Sequence, residues 1–150
     1  MESTISETLR HVLLLARHLK ECDLRGVTVV ALMELGVPTK SVGFEYLKRA
    51  ILLQYEDPTR ALAKDIYLEI SVRCKLNSEE QVDQAIRDAI RIAWEKGSKT
   101  AWHWYFSYDG RMPRRKPTNS EFISRLSCVL ELWQACVEKE ICYELEKTPT

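Results

Sequence analysis

The sequence predicts an all-α fold, and three observations carry that reading. Apolar residues recur at helical spacing along most of the chain. Gly and Pro number only 5 each in 150 residues, too few for an all-β domain with many tight turns. No convincing pair of alternating strands occurs. The composition, 45% hydrophobic and 29% charged, is that of a folded globular chain and excludes disorder as the main state. A chain of this length buries about 68–70% of its unfolded surface, so one domain with a real core is expected. The predicted architecture is a multi-helix domain of about seven helices, without internal repeats.

Residues 3–21 read as an amphipathic helix with Ile5, Leu9, Val12, Leu13, Ala16 and Leu19 at helical spacing. Asp23 to Gly26 break it. A second helix, 27–35, stops at Gly36 with Pro38 just beyond. A third runs from Ser41 to Glu56 and buries Phe44, Leu47, Ile51 and Tyr55 or their neighbours. After Asp57-Pro58, Thr59 can cap a fourth helix over 60–73, with Leu62, Ile66, Ile70 and Val72 as its apolar positions and Tyr67 nearby. Asn77 or Ser78 opens the fifth, 78–96, and Glu79 and Glu80 suit the positive end of its dipole. There Val82, Ala85, Ile86, Ala89, Ile90, Ala93 and Trp94 follow the amphipathic pattern without a break, and Gly97 ends the helix. A short aromatic segment, Trp102 to Tyr108, leads to an Asp109-Gly110 turn and a basic loop from Arg111 to Pro117. Thr118 and Glu121 then form a capping box. They open a long helix with a seam at Ile123, Leu126, Leu130, Trp133, Val137 and Ile141.

Several function classes are excluded at this level. The apolar run Val12 to Ala16 is too short for a signal peptide or a membrane span, and no later run approaches 18 apolar residues. A cytoplasmic protein with no membrane partner is expected. The five cysteines, Cys22, Cys74, Cys128, Cys136 and Cys142, form no CxxC pair and read as buried or free thiols. His11, His18 and Cys22 share a helix face, but a zinc site needs a fourth ligand or water, and no fourth residue is evident. A half-buried helix face is the preferred reading, with no metal and no other cofactor. GxSxG, Walker, HExxH and Gly-rich phosphate-loop signatures are absent, and Glu79-Glu80 reads as capping residues, so no enzyme is expected.

The fourth and fifth helices are separated only by Cys74 to Asn77, which is compatible with a helix-turn-helix. In that motif the second helix enters the major groove. Four strings add to this: Glu34-Leu-Gly-Val-Pro38, Gly43-Phe-Glu-Tyr-Leu-Lys-Arg-Ala-Ile51, Ala85-Ile-Arg-Asp-Ala-Ile-Arg-Ile-Ala-Trp94 and Lys116-Pro-Thr-Asn-Ser-Glu-Phe-Ile123. Over about 27–133 the chain resembles the C-terminal effector domain of the stage-zero sporulation response regulator of endospore-forming bacteria.

The resemblance implies a transcription-factor domain whose helix-turn-helix binds double-stranded DNA and whose nearby surface touches an RNA polymerase sigma factor. It divides the chain into an N-terminal helix (1–26), the effector module (27–133) and a helical tail (134–150). It makes 78–96 the recognition helix, with Asp83, Gln84 and Arg87 at the family's matching positions; Arg91, on the same exposed face, joins them as a candidate base contact. Lys75, Arg111, Arg114, Arg115 and Lys116 are suited to phosphates, which position a protein without reading sequence. The aromatic segment reads first as packing against the last helix. The resemblance places it near the polymerase-contacting surface, which makes Trp102 and Trp104 candidates for a partner surface.

Two departures shape the expectation. Gln84 stands where the family has a base-reading arginine; Arg prefers guanine and Gln adenine, so base preference should be altered or readout weakened. The charge is also uneven. The chain carries 22 basic and 22 acidic residues, yet segment 77–97 has three basic against five acidic. Segment 98–117 has five basic residues against Asp109 alone. The loop should therefore supply most of the grip and the helix a modest specificity. The alternative is a protein-interaction module on the same fold, binding a sigma factor or a related regulator. The segment before the module reads as one helix, with no room for a receiver domain, so control by phosphorylation in cis is not expected. The N-terminal helix and the tail could form a homodimer seam, pack on each other or cap the module's core.

Overall fold

The computed structural model describes residues 6–107 and 111–138. Seven α-helices account for most of them: α1 Glu7–His18, α2 Leu24–Leu35, α3 Val42–Glu56, α4 Leu68–Arg73, α5 Glu79–Lys96, α6 Lys99–Phe106 and α7 Asn119–Glu138. A π-helical turn, Leu62–Tyr67, leads directly into α4. No strand element occurs among the described residues, and no helix among them is long and apolar enough to cross a membrane. Ile5, Tyr108, the Asp109-Gly110 turn, Ile141 and Cys142 lie outside the described residues.

The helix ends follow from local chemistry. Ser6, Ser41 and Ser98 each accept a hydrogen bond from a backbone N–H three residues on, those of Leu9, Phe44 and Ala101. The expected capping box is present in both directions: the Glu121 N–H donates to Thr118 Oγ1 at 3.1 Å, and the Thr118 N–H donates to Glu121 Oε1 at 2.9 Å. Gly36 closes α2 in the left-handed region at φ 94°.

Three boundaries differ from the sequence reading. Asp23 starts α2 rather than breaking the chain, because its Oδ1 accepts from the Gly26 N–H at 2.8 Å. Gly26 thus lies inside the first turn of α2. Thr59 does not cap the fourth helix; its N–H and hydroxyl both donate to Asp57 Oδ1. The helix begins instead where the Ala61 carbonyl accepts from both Asp65 and Ile66, and Asp65 Oδ2 in turn accepts from the Ala61 N–H. Val72, expected inside, is 68% exposed, since it lies off the stripe set by Ile66 and Ile70. Finally, the aromatic segment is a helix, α6.

Helix α7 is the spine, packing against α1, α2, α3, α5 and α6. Helix α3 lies between α7 and α5. One continuous core joins Leu32, Leu47, Ile51, Ile86, Ile90 and Phe122. Trp102, Phe106 and Phe122 pack together within it at centroid distances of 4.9–5.8 Å, Phe106 stacked on Phe122 and Trp102 edge-on to Phe122. Helix α1 belongs to the same core: Val12, Leu13, Leu15 and Ala16 are buried, and the helix lies on α6 and α7 of its own chain. Leu14, between them, points outward and is exposed.

A polar cluster fastens α1 to α2 and α6. His11 Nε2 donates to Glu34 Oε1 at 2.9 Å, and the buried Tyr105 hydroxyl donates to the same oxygen. The His11 ring stacks on Trp104 at 4.2 Å. Burial alone would raise the Glu34 carboxyl, but the hydrogen bonds from His11 and Tyr105 outweigh it and hold the group below its ordinary 4.5. A depressed carboxylate stabilises the fold above its unfolded value, and that contribution is lost as pH falls through the folded value. Wild type should therefore lose stability more steeply below pH 4.5 than Glu34→Gln does. Urea midpoints compared from about pH 7 to about pH 3 check this, and parallel curves would refute it.

Candidate nucleic-acid interface

The link from α4 to α5 is a tight helix stop. The Leu76 N–H donates to the Ser71 carbonyl at 2.8 Å and the Lys75 N–H to the Val72 carbonyl at 3.2 Å. That pair of bonds is the Schellman pattern, and the residue it turns on, Lys75, adopts φ 57°. Glycine is the favoured occupant of that conformation. Lys75 is exposed there, at the start of the turn. Lys75→Gly should relieve about 1 kcal/mol of backbone strain, partly offset by a more flexible unfolded chain. Its melting temperature should equal or exceed that of wild type, while any duplex affinity that uses the ammonium falls. A melting temperature lowered by several degrees would contradict the strain.

Helix α5 buries Val82, Ile86, Ala89, Ile90 and Ala93. It approaches α3 closely at Gly43, where an added Cβ would lie 2.5 Å from the Ala85 carbonyl oxygen. The opposite face carries Gln84, Arg87 and Arg91, all exposed. These side chains are laddered along the helix. Arg87 Nη2 donates to Asp83 Oδ2, and Arg87 Nη1 donates to Gln84 Oε1 at 3.3 Å. Gln84 Nε2 donates to Asp88 Oδ1 at 3.0 Å, and Arg91 lies 3.9 Å from Asp88 and 3.6 Å from Glu95. Exposed pairs of this kind are worth only about 0.2–1 kcal/mol each, so a phosphate or a base edge can displace those of Arg91. Helix α5 has Ser78 at its N-cap without a side-chain bond; Gln81 Oε1 accepts from the Asn77 N–H at 2.8 Å instead.

The basic loop runs beside this helix. Met112 and Pro113 line a shallow pocket with Trp94, Lys99 and Trp102, next to the last turns of α5. At its other end, Asn119 Nδ2 donates to the main-chain oxygen and to Oδ1 of Asp83, both at 3.1 Å, near the first turn of α5. The loop cations do not act alike. Arg115 forks onto Glu121, with both N–O distances 3.1 Å, and this bond with the Thr118 N–H holds the Glu121 carboxyl below its ordinary range. Arg111 and Arg114 are exposed and Lys116 is half-buried, and among the described residues none of the three has a carboxylate partner.

The structure thus brings Gln84, Arg87 and Arg91 onto one face, with the loop alongside. Asp83 is half-buried and bound by Asn119 and Arg87. Trp102, a candidate for a partner surface only through the resemblance, lies in the core at 2% exposure as the packing reading has it, its indole N–H donating to the Ala93 carbonyl at 3.1 Å. Trp104 is half-buried against His11. His11 is occupied by Glu34, and among the described residues no three His, Cys, Asp or Glu side chains converge as metal ligands. Two residues of the site are not marked by the sequence as functional, Asn119 and Tyr67. Asn119 stands within one of the matching strings, but nothing local marks it as buried.

Two helices joined by a tight turn, the second with a polar outer stripe and a flanking basic loop, define the class: an all-α domain built on a helix-turn-helix pair. A model of the family described as sporulation initiation factor Spo0A C terminal matches residues 28–130, most of the chain. The chain belongs to that family, a family of DNA-binding effector domains rather than of enzymes. Helix α1 lies ahead of the matched segment and α7 extends beyond it.

Proposed function

We propose that this chain is a cytoplasmic transcriptional regulator that lays α5 in the major groove of DNA. Gln84, Arg87 and Arg91 read base edges; Lys75, Arg111, Arg114 and Lys116 hold phosphates. The observation that carries this reading is the juxtaposition of two unlike elements. Loop cations that have no carboxylate partner among the described residues stand beside a helix whose outward side chains are the bidentate types that read bases. Arg115 supports the loop through Glu121 rather than gripping DNA directly.

A salt series on random and selected duplexes tests it. Affinity should fall linearly in log–log form, by about 0.9 per phosphate contacted, and a consensus should emerge. Gln84→Arg should move the preference at one position from adenine towards guanine, by about 1–3 kcal/mol. No binding to any duplex at low salt would remove the proposal.

A second reading has one observation in its favour. Both arginines on the outer face of α5 are already paired with carboxylates of their own helix. An interaction module that binds a sigma factor or a related regulator would need no free cation there. Duplex binding with a consensus decides for the first reading; capture of a purified sigma factor without duplex binding decides for the second.

A further inference from the structure

We propose that Asn119 is a positioning residue for sequence readout: its buried carboxamide fixes Asp83 and the first turns of α5, and through Asp83 it aims Arg87. The inference rests on the DNA-binding reading for its consequence, but its structural half stands alone.

The geometry is specific. Asn119 is 8% exposed, at the first position of α7. Its Nδ2 lies 3.1 Å from the Tyr67 hydroxyl oxygen, the Asp83 carbonyl oxygen and Asp83 Oδ1. An amide nitrogen has two hydrogens. One therefore serves Tyr67, and the other is shared between the two oxygens of Asp83. The remaining carboxylate oxygen, Oδ2, accepts from Arg87. Asp83 is thus held at one oxygen from inside the fold and presents the other to a side chain that faces outward. Burial pushes the Tyr67 phenol up to about 12, with Asp83 adding to the rise; Tyr67 therefore keeps its proton, and a lone pair of the same oxygen accepts from Asn119.

The consequence concerns selectivity. An exposed ion pair alone leaves both long side chains free to turn. Anchoring the carboxylate on a buried amide removes half of that freedom and sets where the Arg87 fork points. Bidentate readout depends on such placement, whereas attraction to phosphates does not. Loss of the anchor should therefore erode discrimination and spare the salt-dependent grip of the loop.

The test uses the full chain with Asn119→Ala and with Asn119→Asp, which keeps the size but replaces the donor with an acceptor facing Asp83. The ratio of affinities for selected over random duplex should fall about tenfold, with the salt slope unchanged. Amide exchange should quicken over residues 82–87 and stay unchanged over 90–96. Asp83→Asn, which keeps an Oδ1 acceptor for Asn119 but removes the charge from Arg87, should lower the ratio and leave exchange as in wild type. This variant also keeps the proposal testable if the changes at Asn119 prevent folding. An unchanged ratio, or equal losses on both duplexes with exchange quickened along all of α5, would overturn the proposal. If wild type discriminates between no duplexes, that failure belongs to the DNA reading. Exchange then decides alone: quickening confined to 82–87 supports the positioning role, and unchanged protection overturns it.

Discussion

Gly97→Ala is expected to destabilise the domain by about 3 kcal/mol and to lower its melting temperature by roughly 6–12 °C. The cause is contact between main chains. A Cβ at Gly97 would lie 2.2 Å from the Leu35 carbonyl oxygen and 2.4 Å from that of Ala93. Neither can rotate away as a side chain would, and the Gly97 N–H is itself bonded to the Ala93 carbonyl at 2.7 Å. The end of α2 meets the end of α5 at this point, since a Cβ on Gly36 would come within 2.8 Å of the Gly97 Cα. Relief requires the two helices to part, and that exposes core around Leu35 and Ala93. Gly43→Ala should act in the same direction, because its Cβ would stand 2.7 Å from the Ala89 Cβ as well as against the Ala85 carbonyl. Gly26→Ala is the control. Its nearest neighbours would be at 3.4 Å, and the change favours helix by about 0.5–1 kcal/mol, so that variant should melt at or above wild type. Thermal melts of the three proteins separate the cases; a Gly97→Ala protein that melts with wild type would show that the close approach is not rigid.

These glycines also mark the limit of what the sequence discloses. Gly36 and Gly97 are readable as helix stops, because a glycine after an amphipathic run has a local meaning. That they touch each other is not readable, since the contact joins segments far apart in the chain. The same division holds elsewhere. The capping box of Thr118 and Glu121 is local and legible, as are the buried stripes of α5 and α7. Asp23 reads as part of a break because Gly26 resembles a breaker, whereas in the first helical turn Gly26 only supplies an N–H to the cap. The π-helical turn at Ala61 has no residue signature. Helix α6 hides behind its own composition, because five consecutive ring-bearing residues leave no polar face to set a period. In the site, the cations are legible and their partners are not. Whether an arginine is free or bound depends on a carboxylate placed by the fold, and the burial of Asn119 depends on Asp83 and Tyr67, 36 and 52 residues away.

That distinction between free and bound arginines sets the second large expected effect. Arg111→Ala combined with Arg114→Ala should lower the salt slope of duplex binding by about 1.8, since each phosphate no longer held subtracts about 0.9. At 0.15 M salt such a change corresponds to an affinity reduction of about thirtyfold, the same for selected and random duplexes. The reason is that these two side chains have no carboxylate partner among the described residues, so binding a phosphate breaks no ion pair there. Arg87 differs. Its guanidinium is held by Asp83, and it faces outward on the helix rather than on the loop. Arg87→Ala should hardly change the slope and should reduce the free-energy preference for selected over random duplex by about 1–3 kcal/mol. Arg115→Ala should fall between them: its removal frees Glu121 and loosens the loop, so stability and affinity decline together. Filter-binding or anisotropy titrations at four or more salt concentrations give slope and ratio from one data set. A double loop variant with an undiminished slope would mean that the phosphates lie elsewhere, and it would move the candidate interface off the face shared by α5 and the loop.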